Sequence, residues 1–270
     1  MSLRIQNNVE AFNAQRQLVH NSDKLGKAME KLSSGYRINR AGDDAAGLAI
    51  SEKLRGQIGG LTQASRNASD AVSLVQTAEG ALNEVHSMLQ RVRELAVQYK
   101  NGTLSTSDQQ AIQSEVNQLK AEIERIGTDT EFNSIDLLNS GTTSISFQVG
   151  AADNQQITVA TISVGAQVAS TVFALSSSST QTDIQQIDDA INNISSARAT
   201  FGAVQNRLEH TIANLASYTE NLTASESRIR DADMASEMVQ FTKLQILQQA
   251  GTSMLSQANQ APQGVLTLLR

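Results

Sequence analysis

Residues 54–96 read LRGQIGGLTQASRNASDAVSLVQTAEGALNEVHSMLQRVRELA. Every seventh residue from the first gives Leu54, Leu61, Ala68, Val75, Leu82, Leu89 and Ala96, an unbroken apolar row. A second row, set four residues on, holds Ile58, Ser65, Val72, Glu79, His86 and Arg93 and turns polar toward its end. Steps that alternate four and three keep one helix face toward a partner, so the spacing predicts a coiled-coil seam. Such a helix would run roughly 65 Å, too long for the interior of an ordinary domain.

Working outward, Gly42-Asp43-Asp44 supplies a helix start with an Asp cap. Before it, Ile5, Phe12 and Val19 form one apolar row and Leu18, Leu25 and Leu32 another, ended by Ser33-Ser34-Gly35. Beyond the seam, Asn101-Gly102 signals a turn, and Ser107 with Gln110 fits a capping box. A second helix then carries Ile112, Val116, Leu119, Ile123 and Ile126, up to Gly127. Strand alternation follows in Ile145, Phe147 and Val149 and again in Ile157 and Val159, extending less cleanly to Ile162 and Val164. The turn between them is expected near residues 150–154. Residues 167–182, rich in Ser, Thr and Ala, with serine at each position from Ser176 to Ser179, read as an exposed loop. Thr182 and Gln185 fit another capping box. The seam behind it includes Ile184, Ile187, Ile191, Ile194, Phe201, Leu208, Ile212, Leu215, Leu222 and Ile229. After Arg230-Asp231-Ala232-Asp233, a last helix places Leu244, Leu247, Gly251, Met254, Ala258, Ala261, Val265 and Leu268 at the same alternation.

The plan is roughly palindromic. The expected fold is mainly α: a long antiparallel helical bundle or coiled coil with a small β-hairpin at the turning point, an out-and-back chain whose termini lie together. The composition agrees, with 3% aromatic residues, no Trp and one Pro in 270 residues. One Pro lets helices run without interruption. Ala and aliphatic residues suit thin bundles better than a ring-filled globule. The terminal helices carry apolar faces that need partners, either each other within one molecule or further copies. Polar residues on the seams (Glu79, Arg93, Arg198, Gln205 and Glu226) would specify which helix pairs where.

The net charge of −6 leaves no basic stripe for a nucleic-acid backbone or an acidic membrane. No apolar run is long enough to span a bilayer, and the first residues lack the apolar region of a cleaved signal peptide. Zero Cys removes disulfides and thiolate metal sites. His20, His86 and His210 lack metal spacing, and no HExxH occurs. Gly26-Lys27 lacks the upstream glycine of a phosphate loop, and Gly56 to Gly60 sits inside a helical pattern. Asp43 and Asp44 read as cap and first-turn charge, with no catalytic role. No cofactor, metal or enzymatic activity is expected.

Three stretches carry a resemblance. Residues 29–53 read MEKLSSGYRINRAGDDAAGLAISEK, 227–238 read SRIRDADMASEM, and 258–266 read ANQAPQGVL. With LQRVRELAVQ at 89–98, they resemble bacterial flagellin over about residues 1–140 and 183–270. The resemblance implies a short-form subunit that self-assembles into the flagellar filament for motility. Residues 1–40 with 235–270 would form the inner-tube domain, 41–166 with 183–234 the outer-tube domain, and 167–182 a variable surface loop. Inner-tube assembly would rest on Ile5, Phe12, Val19, Leu244, Leu247, Met254, Val265 and Leu268. Implied partners are further copies of the chain, a secretion chaperone, the filament cap and hook-associated proteins, with export through the flagellar apparatus to an extracellular flagellum. A host Toll-like receptor is implied as well, at Gln90, Arg91, Leu95 and Glu115, a surface that also serves subunit packing. Plant receptors would read Glu30 to Ser51, where Tyr36 departs from the small or Leu residue of the family pattern. The alternatives are a hook–filament junction protein and a soluble coiled-coil interaction module.

Overall fold

The computed structural model describes residues 8–139, 144–168, 173–175 and 182–268, the last stretch without the side chains of 182–183 and 261–268. The elements are α1 (Val9–Ser34), α2 (Ala45–Tyr99), α3 (Thr106–Asp129), β1 (Glu131–Phe132), β2 (Ile135–Asp136), β3 (Ser144–Gln148), β4 (Gln156–Ala160), α4 (Val164–Gln167), α5 (Thr182–Arg230) and α6 (Met234–Leu268). The chain forms two compact units, Gln57–Glu220 and Met1–Gly56 with Asn221–Arg270, so α2 and α5 each contribute to both.

In the unit Gln57–Glu220, α2 and α5 pack antiparallel. The row begun at Leu54 is buried from Leu61 through Ala68, Val75, Leu82 and Leu89 to Ala96. Its companion in the core, however, lies three residues on: Ala64, Ala71, Ala78, Val85 and Val92 are buried. The row four residues on lies at the edge of the interface, half-buried from Ile58 to His86 and exposed at Arg93. α5 repeats the pattern. Ile187, Ile194, Phe201, Leu208 and Leu215 are buried together with Ala190, Ala197 and Val204, whereas Ile184, Ile191 and Ile212 are half-buried. The companion row is mostly small, with Ala64, Ala71 and Ala78 on α2 and Ala190 and Ala197 on α5, and Val85, Val92 and Val204 complete it.

Glu79, Arg93, Arg198 and Gln205 therefore do not interrupt the core of this unit. They line its edge, where Glu79 pairs with Arg198 at 3.5 Å and Arg93 with Asp188 at 2.6 Å, both linking α2 to α5. Exposed pairs of this kind contribute up to about 1 kcal/mol each, so they add little to the stability of the helix pair.

α3 adds Ile112, Val116 and Ile123 to the same core. Its cap lies two residues before the expected one. The Ser105 hydroxyl accepts from the Asp108 N–H, and the Asp108 carboxylate accepts from the Ser105 N–H at 3.1 Å. The Ser105 hydroxyl also donates to that carboxylate at 2.8 Å, and this bond, with the backbone one second, holds the Asp108 carboxyl below its ordinary pKa. Ser105→Ala should cost about 1 kcal/mol in urea unfolding. An unchanged midpoint would remove the box from the account.

β3 and β4 pair antiparallel with Phe147 opposite Ile157 and Ile145 opposite Val159, as the alternation predicts, and Ile157 and Val159 reach the core. Ile162 and Val164 do not extend the strand, because Ser163 caps α4 through the Ala166 N–H at 3.2 Å. A smaller hairpin, β1–β2, was not legible as strand. Its turn residues Asn133 and Ser134 have φ of 50° and 61°, the positive pair that a tight hairpin turn requires. Within 167–182, Val168, Phe173 and Leu175 are buried. The Gln113 amide holds that stretch, donating to the Phe173 carbonyl at 2.9 Å and accepting from the Leu175 N–H at 3.2 Å. Ser176 to Ser179 lie outside the described residues.

Candidate assembly surface

In the unit formed by the two ends of the chain, α1 and α6 pack against each other. The Asn8 side chain donates to the Ala258 carbonyl at 2.7 Å, Lys31 meets Glu237 at 3.9 Å, and a Cβ on Gly251 would stand 3.5 Å from Leu18. Those three contacts make the pair antiparallel.

The inward row of α1 is Ala11, Ala14, Leu18, Leu25, Ala28 and Leu32, which includes the second of the two rows seen in the sequence. α6 turns Phe241, Leu244, Gly251, Leu255 and Ala258 inward. Each helix thereby leaves a second apolar row in solvent. On α1, Phe12 is 59% and Val19 54% exposed, with Val9 beside them. On α6, Met254 is 64% exposed, and Leu247, Ile246 and Val239 are also open. Leu244 differs from its expected companions, since it is buried against α1. Ile5 lies outside the described residues, and Val265 and Leu268 lie on α6 where side chains are not described.

Paired short connections join these helices to α2 and α5. Gly35 ends α1 at φ 75°, a left-handed conformation that glycine adopts without a Cβ penalty. Its carbonyl accepts from the Ala232 N–H at 2.9 Å, and the Arg37 N–H donates to the Arg230 carbonyl at 2.7 Å. The Arg230 guanidinium lies 4.8 Å from the centroid of the Tyr36 ring and donates to Glu52 at 2.6 Å. That bond holds the Glu52 carboxyl below its usual range. Tyr36 thus stacks under a cation, an interaction that a small residue would not offer. Asp43 accepts from the Arg40 and Asn39 N–H groups, which lowers its pKa, and Asp44 caps α2 through the Gly47 N–H at 2.8 Å. Both carboxylates are engaged in backbone capping.

The four residues expected at a recognition surface divide. The Arg91 guanidinium reaches Glu115 on α3 at 2.9 Å and Glu94 at 3.1 Å, with all three side chains open to solvent. Gln90 is exposed beside them, and its amide lies 2.9 Å from His86 Nε2. Leu95, in contrast, is 2% exposed and belongs to the core. Among the described residues no group of three His, Cys, Asp or Glu side chains could hold a metal ion. None of their helices is long and apolar enough to cross a membrane.

Two family models match the chain, the bacterial flagellin N-terminal helical region over residues 5–143 and the C-terminal helical region over 184–269. A flagellin of Halalkalibacterium halodurans is 53% identical across 98% of this chain and 99% of its own length. A flagellin of Bacillus subtilis is 50% identical across 99% and 100%. The crystal structure of Bacillus cereus flagellin is similar over 60% of this chain and 94% of that one, at 34% identity and a TM-score of 0.52. A putative flagellar hook-associated protein of Vibrio parahaemolyticus shares the fold at 13% identity and a TM-score of 0.60 over 70% of this chain. With both terminal regions matched and relatives half identical along nearly the whole length, the chain belongs to the bacterial flagellin family, the structural subunits of the flagellar filament.

Proposed function

We propose that this chain, exported to the cell exterior, polymerises through the outward rows of its terminal helix pair. The observation that carries this reading is the placement of Phe12 and Val19 on α1 and of Ile246, Leu247 and Met254 on α6, all large, apolar and in solvent. A helix pair in water gains by covering such rows, at about 1.5–3 kcal/mol for each fully buried large side chain. In the inner tube, further copies would cover them. The outer tube would be built from α2, α3, α5 and the hairpin, which already have a closed core. A secretion chaperone, the filament cap and hook-associated proteins would meet the same terminal helices before and after assembly.

Growth from filament seeds tests this reading. The full chain should extend seeds in the electron microscope, and a variant lacking 1–40 and 235–270 should stay helical without extending them. A full chain that remains monomeric would instead favour a soluble coiled-coil module.

A second reading concerns host recognition by a Toll-like receptor. Arg91 presents a planar five-donor fork, a group common at binding hot spots, and Glu115 presents an acceptor next to it. Gln90 extends the same exposed surface, while Leu95 would support it from beneath. Arg91→Ala should weaken receptor binding by about 2 kcal/mol if the fork is a hot spot, measured by surface plasmon resonance on monomeric chain. Equal affinities for parent and variant would remove this surface from consideration.

A further inference from the structure

We propose that Asn101 is a site of spontaneous deamidation, which converts the α2–α3 connection to an aspartyl or isoaspartyl form. Asn101-Gly102 is the one Asn-Gly pair in the sequence. It lies between Tyr99, the last residue of α2, and the Ser105 cap, and Asn101, Gly102 and Thr103 are all exposed. Nothing stands within 4 Å of the place a Cβ on Gly102 would occupy. Among the described residues, no hydrogen bond holds the Gly102 N–H. Among the described residues, the Asn101 side-chain oxygen accepts only from the Thr103 N–H, at 3.4 Å.

Those features are what the reaction needs. The Gly102 backbone nitrogen gives its proton to solvent base and attacks Asn101 Cγ. The new N–Cγ bond closes a five-membered succinimide as the Cγ–Nδ2 bond breaks, and the side-chain nitrogen leaves as ammonia with a proton from water. Water then adds to either ring carbonyl and opens it, giving aspartate or isoaspartate. Nothing is oxidised or reduced. Asparagines inside helices, such as Asn67, Asn83, Asn117 and Asn206, are held from this path because the following N–H is tied into the helix ladder. Asn133, in the β1–β2 turn, is followed by Ser134, whose Cβ crowds the attacking nitrogen.

The isoaspartyl product inserts an extra backbone atom three residues before Leu104, which is partly buried against the core, so it would loosen that anchor. Both products add a negative charge next to the end of α2, where the helix dipole disfavours one. The inference stands independently of the filament reading.

The test is incubation of the full chain at mildly alkaline pH, followed by cleavage after glutamate and mass spectrometry. Cleavage at Glu94 leaves Asn101 internal, which trypsin cutting after Lys100 would not. Conversion should appear at Asn101 well before Asn133 and leave the helical asparagines intact. Gly102→Ala, with unchanged circular dichroism, should slow it by about tenfold, because a Cβ then obstructs the attack. Conversion at Asn101 no faster than at Asn133, or an undiminished rate in Gly102→Ala, would overturn the proposal.

Discussion

Placing Asp at both Phe12 and Met254 should abolish polymerisation while leaving a helical, soluble chain. Both side chains are largely in solvent, 59% and 64% exposed, so the single molecule loses little packing when they change. In a polymer the same two positions would be covered in every copy. Each carboxylate would then be stripped of water without a partner, which costs several kcal/mol on top of the lost apolar contact. The penalty recurs at every subunit, so growth on seeds should stop altogether. The check is a sedimentation assay with circular dichroism alongside it. Leu244→Asp is the contrasting variant. Leu244 is buried against α1, so that change should disrupt the terminal helix pair itself and lower helicity. If the Phe12 and Met254 double variant polymerises like its parent, these outward rows do not form the contact between copies.

Leu208→Ala should destabilise the unit Gln57–Glu220 by about 2–5 kcal/mol, whereas Ile191→Ala should cost clearly less. Leu208 is fully buried, and Ile191 is half-buried on the same helix. The larger loss combines removed apolar contact with a cavity that two long, mutually braced helices close poorly. Chemical denaturation of the two variants reads the difference directly. Similar losses at both positions would mean that the Ile191 row is buried as deeply as the Leu208 row. The companion test is Ala71→Leu. Ala71 is fully buried where α2 meets its partners, so extra methylenes there should overpack the core by about 1–3 kcal/mol.

These contrasts mark where sequence reading succeeded and where it ran out. The long helices, their antiparallel pairing and the β3–β4 hairpin follow from period and alternation, since a repeat from Leu61 to Ala96 or from Ile187 to Leu215 has one geometric meaning. The second row of each seam was legible only in part. From a given apolar row, steps of four-then-three and three-then-four fit the period equally well, and hydrophobicity favours Ile191 over Ala190. Burial nevertheless falls on Ala190, and which row is covered is a property of the packed pair. The same ambiguity recurs on α6. There Leu247 and Met254 fit the pattern with Leu244, yet Phe241 and Leu255 share its inward face. The β1–β2 hairpin was hidden because two-residue strands carry no period, and its signal was confined to the turn at Asn133-Ser134. At the candidate surface, Gln90, Arg91, Leu95 and Glu115 were named through the resemblance alone, and the structure leaves Arg91 and Glu115 exposed and paired. Leu95 is instead in the core, because on α2 it widens the buried face beyond the heptad rows.

The central claim is that copies of this chain join through the outward rows of α1 and α6. Electron cryomicroscopy of filaments grown from the purified chain tests it most directly. The account predicts a helical polymer in which Phe12 and Val19 of one copy, and Leu247 and Met254, are buried against neighbouring copies. Filaments with those rows facing solvent, or a folded chain that forms no filament on seeds, would contradict it.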